Sequence, residues 1–173
     1  MGKNFKLHIR AAITVILLCG FINIPHASAQ TKQKPELVPV VLNEKTNDPK
    51  ALEIVRKLAP DFFVTGEESF KSGKNAKFFA KYAPLDKNNP KRFIIFTIAD
   101  TPYWCTAHGC PYVIYENKSG SVWKTALELQ VNKIWYDRNS SRQNVTNIIT
   151  QNSLNQVAVW LWASGKFIKV ERK

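Results

Sequence analysis

The sequence predicts a mainly β fold with one short N-terminal α-helix, arranged as an antiparallel meander that forms a curled sheet, a small sandwich or a barrel. Two observations predict this class. From Phe62 onward, short runs of β-branched and aromatic residues alternate with Gly, Asn, Ser and Pro, as strands alternate with turns. Most linkers between the runs have hairpin length, so runs that are adjacent in sequence should pair antiparallel.

Residues 1–29 have the pattern of a cleaved signal peptide. A basic leader precedes a mostly apolar stretch, Ala11–Ile24, and Ala27-Ser28-Ala29 offers the small-x-small pattern of a cleavage site. Asn23 and Pro25 interrupt the apolar stretch before it reaches the ~20 residues that cross a membrane. We therefore expect a periplasmic or secreted protein with no transmembrane segment in its mature chain.

The mature chain begins with two different segments. Residues 30–47 contain two prolines, many polar residues and little periodicity, which predicts a flexible tether. Asp48 and Pro49 have the residue types of an N-cap and a first helical position, and Pro60 stops a short amphipathic helix over 49–59. By length, residues 48–173 should form a single β-rich domain.

Eight candidate strands follow the helix. Alternation in strand 121–129 predicts that Trp123, Thr125, Leu127 and Leu129 share one face, and that Lys124, Glu128 and Gln130 share the other. Strands 93–98 and 157–162 are apolar on both faces, so they should lie centrally or under the helix. Gly120 and Gly165 suit tight turns. The candidate strands are 76–83, 91–98, 111–116, 121–129, 132–137, 145–150, 156–163 and 166–171.

The charge of the chain favours an anionic partner. The leader holds three of the 25 basic residues and none of the 13 acidic ones, so the mature chain keeps a net charge of +9. Such a field attracts anionic cell-envelope polymers; another envelope protein is the alternative partner, and we expect no nucleic acid. The lysines are dispersed, which is also what an ordinary solvated surface looks like.

Six residues are candidates for a binding surface. Lys124, Lys133, Lys166 and Lys169 should point outward from the polar face of the sheet. Trp160 and Trp162, about 6.6 Å apart along one strand face, would form a stacking platform if they were exposed. The alternative is that both tryptophans belong to the core.

The segment "CTAHGC" (105–110) holds the two cysteines that remain after the leader. In an exported chain Cys105 and Cys110 should form a structural disulfide, with Gly109 permitting the turn. A redox site would favour C-x-x-C spacing. A metal site would need more ligands than Cys105, His108 and Cys110, and a Cys110–His108 nucleophile pair would need an orienting Asn or Asp.

These motifs also carry a resemblance. The stretch "CTAHGCPYVIYENKSGSVWKTALEL" and the ending "VWLWASGKFIKV" resemble a group of small uncharacterised exported proteins of Gram-negative bacteria. In that group a Cys-x4-Cys loop leads into an aromatic β-hairpin. The resemblance covers about residues 90–170 and implies export but no activity. Lysines in "EESFKSGKNAKFF" stand where some members have acidic repeats, so it implies no calcium site.

Catalytic motifs do not appear in the sequence. There is no G-x-S-x-G, H-E-x-x-H, Walker A or G-x-G-x-x-G pattern. We therefore expect a non-enzymatic binding or interaction module with a basic surface, and no catalytic, cofactor-binding or metal-binding residues. The alternative is a small periplasmic enzyme that depends on a thiol or on His108.

Overall fold

A computed structural model describes residues 34–63, 76–99 and 104–170, all within the compact unit Gln33–Lys173. The expected signal peptide and residues 30–33 lie outside the described residues. The elements are β1 (Leu37–Pro39), α1 (Pro49–Leu58), β2 (Lys77–Ala83), β3 (Phe93–Ala99), β4 (Cys110–Asn117), β5 (Trp123–Val131), β6 (Lys133–Arg142), β7 (Val145–Gln151), β8 (Val157–Ala163) and β9 (Lys166–Val170).

The strands form two antiparallel sheets, which confirms the predicted mainly β class. One sheet has the order β2-β3-β4-β5 and the other has the order β1-β6-β7-β8-β9. The hairpins keep neighbouring strands adjacent, and the chain changes sheets between Val131 and Lys133. Of the three predicted alternatives, the described strands adopt a two-sheet sandwich rather than a closed barrel.

Two apolar clusters hold three layers together. One lies between the sheets and includes Phe93 and Ile95 from β3 and Trp162 from β8. The other lies between the four-stranded sheet and α1 and includes Ile94 and Phe96 from β3. Because β3 alternates between two cores, it is buried on both faces, as its sequence predicts.

Helix α1 covers the outer face of the four-stranded sheet. The Asp48 carboxylate caps it by accepting hydrogen bonds from the amides of Lys50 (2.9 Å) and Ala51 (3.2 Å). Ala51 and Val55 are buried against the sheet. Across the described ranges, no helix has the length and apolar character needed to cross a membrane.

The tether prediction for residues 30–47 is wrong where the structure describes it. Leu37–Pro39 pairs with Trp135–Asp137 of β6 as an edge strand, and the Glu36 amide donates to Asp137 Oδ1 at 3.0 Å. A three-residue edge strand is too short to show periodicity, and proline is compatible with an edge.

The predicted alternation of strand 121–129 is also wrong. Ile114 pairs with Leu127 but Tyr115 pairs with Thr125, so Ala126 is an extra residue in a β-bulge. As a result Trp123 packs on the helix side of the sheet, whereas Leu127 packs between the sheets.

The prediction that strand 157–162, now β8, lies centrally with both faces buried is confirmed only in part. It lies between β7 and β9 in the five-stranded sheet, so it is interior in strand order. It is not buried on both faces, however, since Val157 is 58% exposed.

Candidate functional site

Four turns meet at one end of the sandwich. They are residues 84–92, 118–122, 143–144 and 164–165, and with the strand ends that flank them we call this region the basic end. The Asn117 amide donates to the Arg92 carbonyl at 2.7 Å, and the Lys87 amide donates to the Asn144 carbonyl at 3.2 Å. These contacts join turns from both sheets.

The acidic residues of the basic end are buried around one arginine. Arg92 Nη1 donates to Asp86 Oδ2 at 2.6 Å, and its Nη2 donates to Glu116 Oε1 at 2.7 Å. Asp86 is 6% exposed and Glu116 is 0% exposed. Asp86 Oδ1 also accepts from the amides of Asn88 and Asn89. Arg92 therefore pairs with both carboxylates below the surface, and its single positive charge offsets one of their two negative charges.

The environment keeps this network charged. Burial raises the pKa of Asp86, but hydrogen bonds from Arg92 and from the two amides outweigh it, so the pKa lies below its usual value. Burial lowers the pKa of Arg92, but its two carboxylate partners outweigh that effect and raise it. Both groups are consequently ionised at neutral pH.

Aromatic side chains support the network from the core. The Arg92 guanidinium lies 5.3 Å from the ring centre of Phe93 and 5.6 Å from that of Trp162. Trp162 packs edge-on against Phe93 at 5.4 Å and Phe167 at 5.0 Å.

The platform suggested for Trp160 and Trp162 does not form. Trp162 is 2% exposed and belongs to the core between the sheets. Trp160 is partly buried against the same core and donates its indole N–H to Thr150 Oγ1 at 2.9 Å. Both side chains point to the core side because they alternate with outward-facing Leu161.

The four predicted lysines do not share one face. Lys124 and Lys166 lie at the basic end, whereas Lys133 begins β6 at the opposite end. Lys169 pairs with Trp160 on the core-facing side of β9, which is the side opposite Lys166. The prediction that these lysines share one face was wrong because it assumed a single sheet, whereas the described strands form two.

A third lysine, Lys118, lies near Lys124 and Lys166 instead. The Nζ atoms of Lys118 and Lys124 lie 3.2 and 3.4 Å from where a Cβ on Gly165 would be, and Lys166 follows Gly165 directly. Lys124 Nζ is also 4.0 Å from Glu116 Oε2. Three lysines from two sheets therefore surround the β8–β9 turn.

Further basic residues extend this surface, and sequence reasoning did not single them out. They are exposed Lys87, Lys91 and Arg142. In segments 84–92, 116–124, 142–145 and 163–167, Asp86 and Glu116 are the only acidic residues. This excess of basic over acidic residues can be recognised in the sequence only when these four turns are known to meet.

The disulfide lies at the other end of the sandwich, and its prediction is confirmed. Cys105 and Cys110 are bonded to each other. Thr106 and Gly109 exchange backbone hydrogen bonds of 3.0 and 2.9 Å inside the loop, and Gln130 Nε2 donates to Thr106 Oγ1 and to the Gly109 carbonyl. Gly109 has φ +106°, and a Cβ there would collide with the Val131 backbone.

The loop contains Cys105, His108 and Cys110, the residues on which the alternatives of a thiol- or His-dependent enzyme and of a metal site depend. With both sulfurs in the disulfide, neither is a thiolate nucleophile or a metal ligand in this structure. His108 is exposed, and its backbone amide donates to Thr106 Oγ1 at 3.1 Å.

The arrangement of the basic end is suited to holding anions. Ammonium groups are strongly hydrated point charges that bind phosphate and carboxylate groups without demanding one geometry. Because Asp86 and Glu116 are buried and paired with Arg92, exposed Lys118 and Lys166 can direct their charge to solvent. The chain matches no family model, no curated protein and no solved structure.

Proposed function

We propose that the protein is an exported, non-enzymatic binding module that recognises an anionic polymer of the cell envelope through its basic end. The observation that supports this most directly is the separation of charge. Lys118, Lys124 and Lys166 lie at the surface, while Asp86 and Glu116 are buried and paired with Arg92. Lys124, with its Nζ 4.0 Å from Glu116 Oε2, adds a second positive charge beside this pair of carboxylates. The lysines therefore have no exposed carboxylate in their own turns to oppose an anionic ligand.

Export supports the same proposal. The leader has the pattern of a signal peptide, and the disulfide suits an oxidising compartment. The periplasm and the cell surface are rich in phosphate-bearing and carboxylate-bearing polymers. The proposal assigns no reaction, because both cysteine sulfurs are in the disulfide and His108 lies in an exposed turn.

Co-sedimentation tests the proposal with charge-matched variants. The first variant combines Lys118→Gln, Lys124→Gln and Lys166→Gln, and the control combines Lys45→Gln, Lys133→Gln and Lys169→Gln. All six lysines are exposed, so both variants lose the same charge. Equal melting temperatures would show that both are folded.

We expect the basic-end variant to lose most of its binding to purified cell wall or lipopolysaccharide, and the control to keep it. Equal losses would mean that net charge, rather than the basic end, governs binding. If even the wild-type protein failed to bind either polymer at low salt, a partner protein of the envelope would become the better proposal.

A further inference from the structure

A groove lies beside the basic end, between the start of α1 and the β2–β3 hairpin. Its volume is about 790 Å³, and residues 46–50, Lys81, Tyr82 and Lys91 line it. The segment before α1 is fixed against β2, because the Asp48 amide donates to the Ala80 carbonyl at 2.7 Å and the Ala80 amide donates to Asn47 Oδ1 at 2.9 Å. The groove therefore has walls from two well-anchored elements.

The groove has an excess of positive charge. Among the residues that the structure describes, no ion pair or side-chain hydrogen bond engages the ammonium groups of Lys50, Lys81 and Lys91. The one carboxylate in the lining, Asp48, is occupied in capping α1. Three cations thus face a space that contains one already engaged anion.

Lys81 is the cation that β2 contributes to the groove lining. It is only half-exposed, and burial lowers its pKa with no carboxylate to offset the effect. A bound anion would offset this effect of burial and would in turn be held in a partly dehydrated setting, where charge-assisted hydrogen bonds are stronger.

Polar and aromatic groups of β2 complete the lining. The Ala80 amide points away from β3 toward Asn47, and the β2–β3 register is unbroken. Because backbone groups alternate sides along a strand, the Tyr82 amide points the same way, into the groove. The Tyr82 ring packs against Trp123 with ring centres 6.3 Å apart, which makes one wall rigid.

We propose that this groove binds a phosphate group of the anionic polymer, with Lys50, Lys81 and Lys91 as its ligands. This inference rests on the proposed function and names the group that is recognised. A phosphate monoester has three acceptor oxygens and nearly two negative charges, which three separate ammonium groups can match. A carboxylate is recognised best by the planar fork of arginine, and no arginine lines the groove.

The test is a titration of the mature protein, from residue 30 onward, followed by backbone amide NMR. The probes are inorganic phosphate, glycerol 3-phosphate, glucose 6-phosphate and galacturonate. They separate free phosphate, a lipid-type headgroup, a sugar phosphate and a sugar carboxylate. We expect the three phosphate probes to shift the amides of Lys50, Ala51 and Tyr82, with glucose 6-phosphate binding most tightly and galacturonate at least tenfold more weakly.

Variants assign the binding to the groove. Lys81→Gln should weaken glucose 6-phosphate binding about tenfold, the effect of losing one charge-assisted contact, whereas the control Lys169→Gln should leave it unchanged. The inference is overturned if galacturonate binds as well as glucose 6-phosphate, if the shifts lie elsewhere, or if both variants lose equally.

The result is separable from the test of the proposed function. The variant with Gln at 118, 124 and 166 keeps every residue of the groove, so it should bind glucose 6-phosphate normally while losing the polymer. Polymer binding without phosphate binding would overturn the groove alone. Phosphate binding in the groove without polymer binding would overturn the proposed function and would leave the groove as a site for a small phosphate compound.

Discussion

At the scale of single residues, Arg92 decides the charge of the basic end. Among the residues that the structure describes, it is the one cation within hydrogen-bond distance of both buried carboxylates, Asp86 and Glu116. Lys124 is 4.0 Å from the second oxygen of Glu116 and more than half of its side chain is exposed, so it cannot replace Arg92. Without Arg92, two carboxylates would remain in a low-dielectric site.

Replacing Arg92 should therefore be costly. We expect Arg92→Met to lower the free energy of unfolding by about 3–5 kcal/mol, the usual cost of breaking a buried ion pair. The control is Arg138→Met, which removes a surface pair with Glu36 and should cost about 1 kcal/mol or less. Urea denaturation measures both, and similar small losses would show that the buried network contributes little.

The pH dependence of stability should follow Asp86. Its pKa is lower in the folded protein than in the unfolded chain, mainly because Arg92 and two amides outweigh burial. Its contribution is therefore complete above the unfolded pKa of about 3.9 and is lost as pH falls through the folded pKa. Urea titrations from pH 7 to pH 2 should show this loss in the wild type and a smaller one in Arg92→Met. Parallel curves would contradict it.

At the scale of elements, most of the fold could be predicted from local pattern. Helix α1 has its N-cap and first-turn proline in the sequence, and seven of the eight strands after it begin and end within two residues of the predicted runs. Strand β3 reads as apolar on both faces because it serves two cores. These features depend on residues that are near each other in the chain.

The features that were missed depend on a partner strand. Polar residues 138–142 extend β6 because they continue beside β7, around an irregularity between Asp137 and Ser141. The bulge at Ala126 is likewise set by pairing with β4. It turns Lys124 to the same side as Glu116, toward Gly165, so an irregularity that alternation cannot predict brings a lysine to the basic end.

The disulfide should stabilise the loop between Cys105 and Cys110 and the start of β4. Intact mass measured with and without reductant should differ by two hydrogens, and alkylation should require reduction. Replacing both cysteines by serine should lower the free energy of unfolding by about 2 kcal/mol, as the chain-entropy model gives for a short loop. Two thiols that react without reductant would contradict the disulfide between Cys105 and Cys110.

At the scale of the whole molecule, topology creates the candidate site. Lys124 and Lys166 could be singled out from the sequence, but Lys133 and Lys169 were grouped with them because no pattern reveals that the chain changes sheets at Asn132. The meeting of the β4–β5 and β8–β9 turns at Gly165 is a contact between sheets. Local periodicity carries no information about such a contact.

Salt should control polymer binding if the basic end acts through charge. The Debye length shortens from about 10 Å at 0.1 M to about 3 Å at 1 M ionic strength, so exposed lysines such as Lys118 and Lys166 would be screened from a polymer. We expect the fraction that co-sediments with cell wall or lipopolysaccharide to fall steeply across this range. The variant with Gln at 118, 124 and 166 should show a shallower fall, because fewer contacts remain to be screened.

The control for that series is the charge-matched variant with Gln at 45, 133 and 169, which should keep the wild-type salt dependence. Binding that persists unchanged at 1 M would contradict an electrostatic site and would indicate apolar contacts, such as those that exposed Val157 and Ile168 could make. The slope therefore tests the site in a way that affinity alone cannot, because only a site built from surface charge loses affinity in proportion to the contacts it makes.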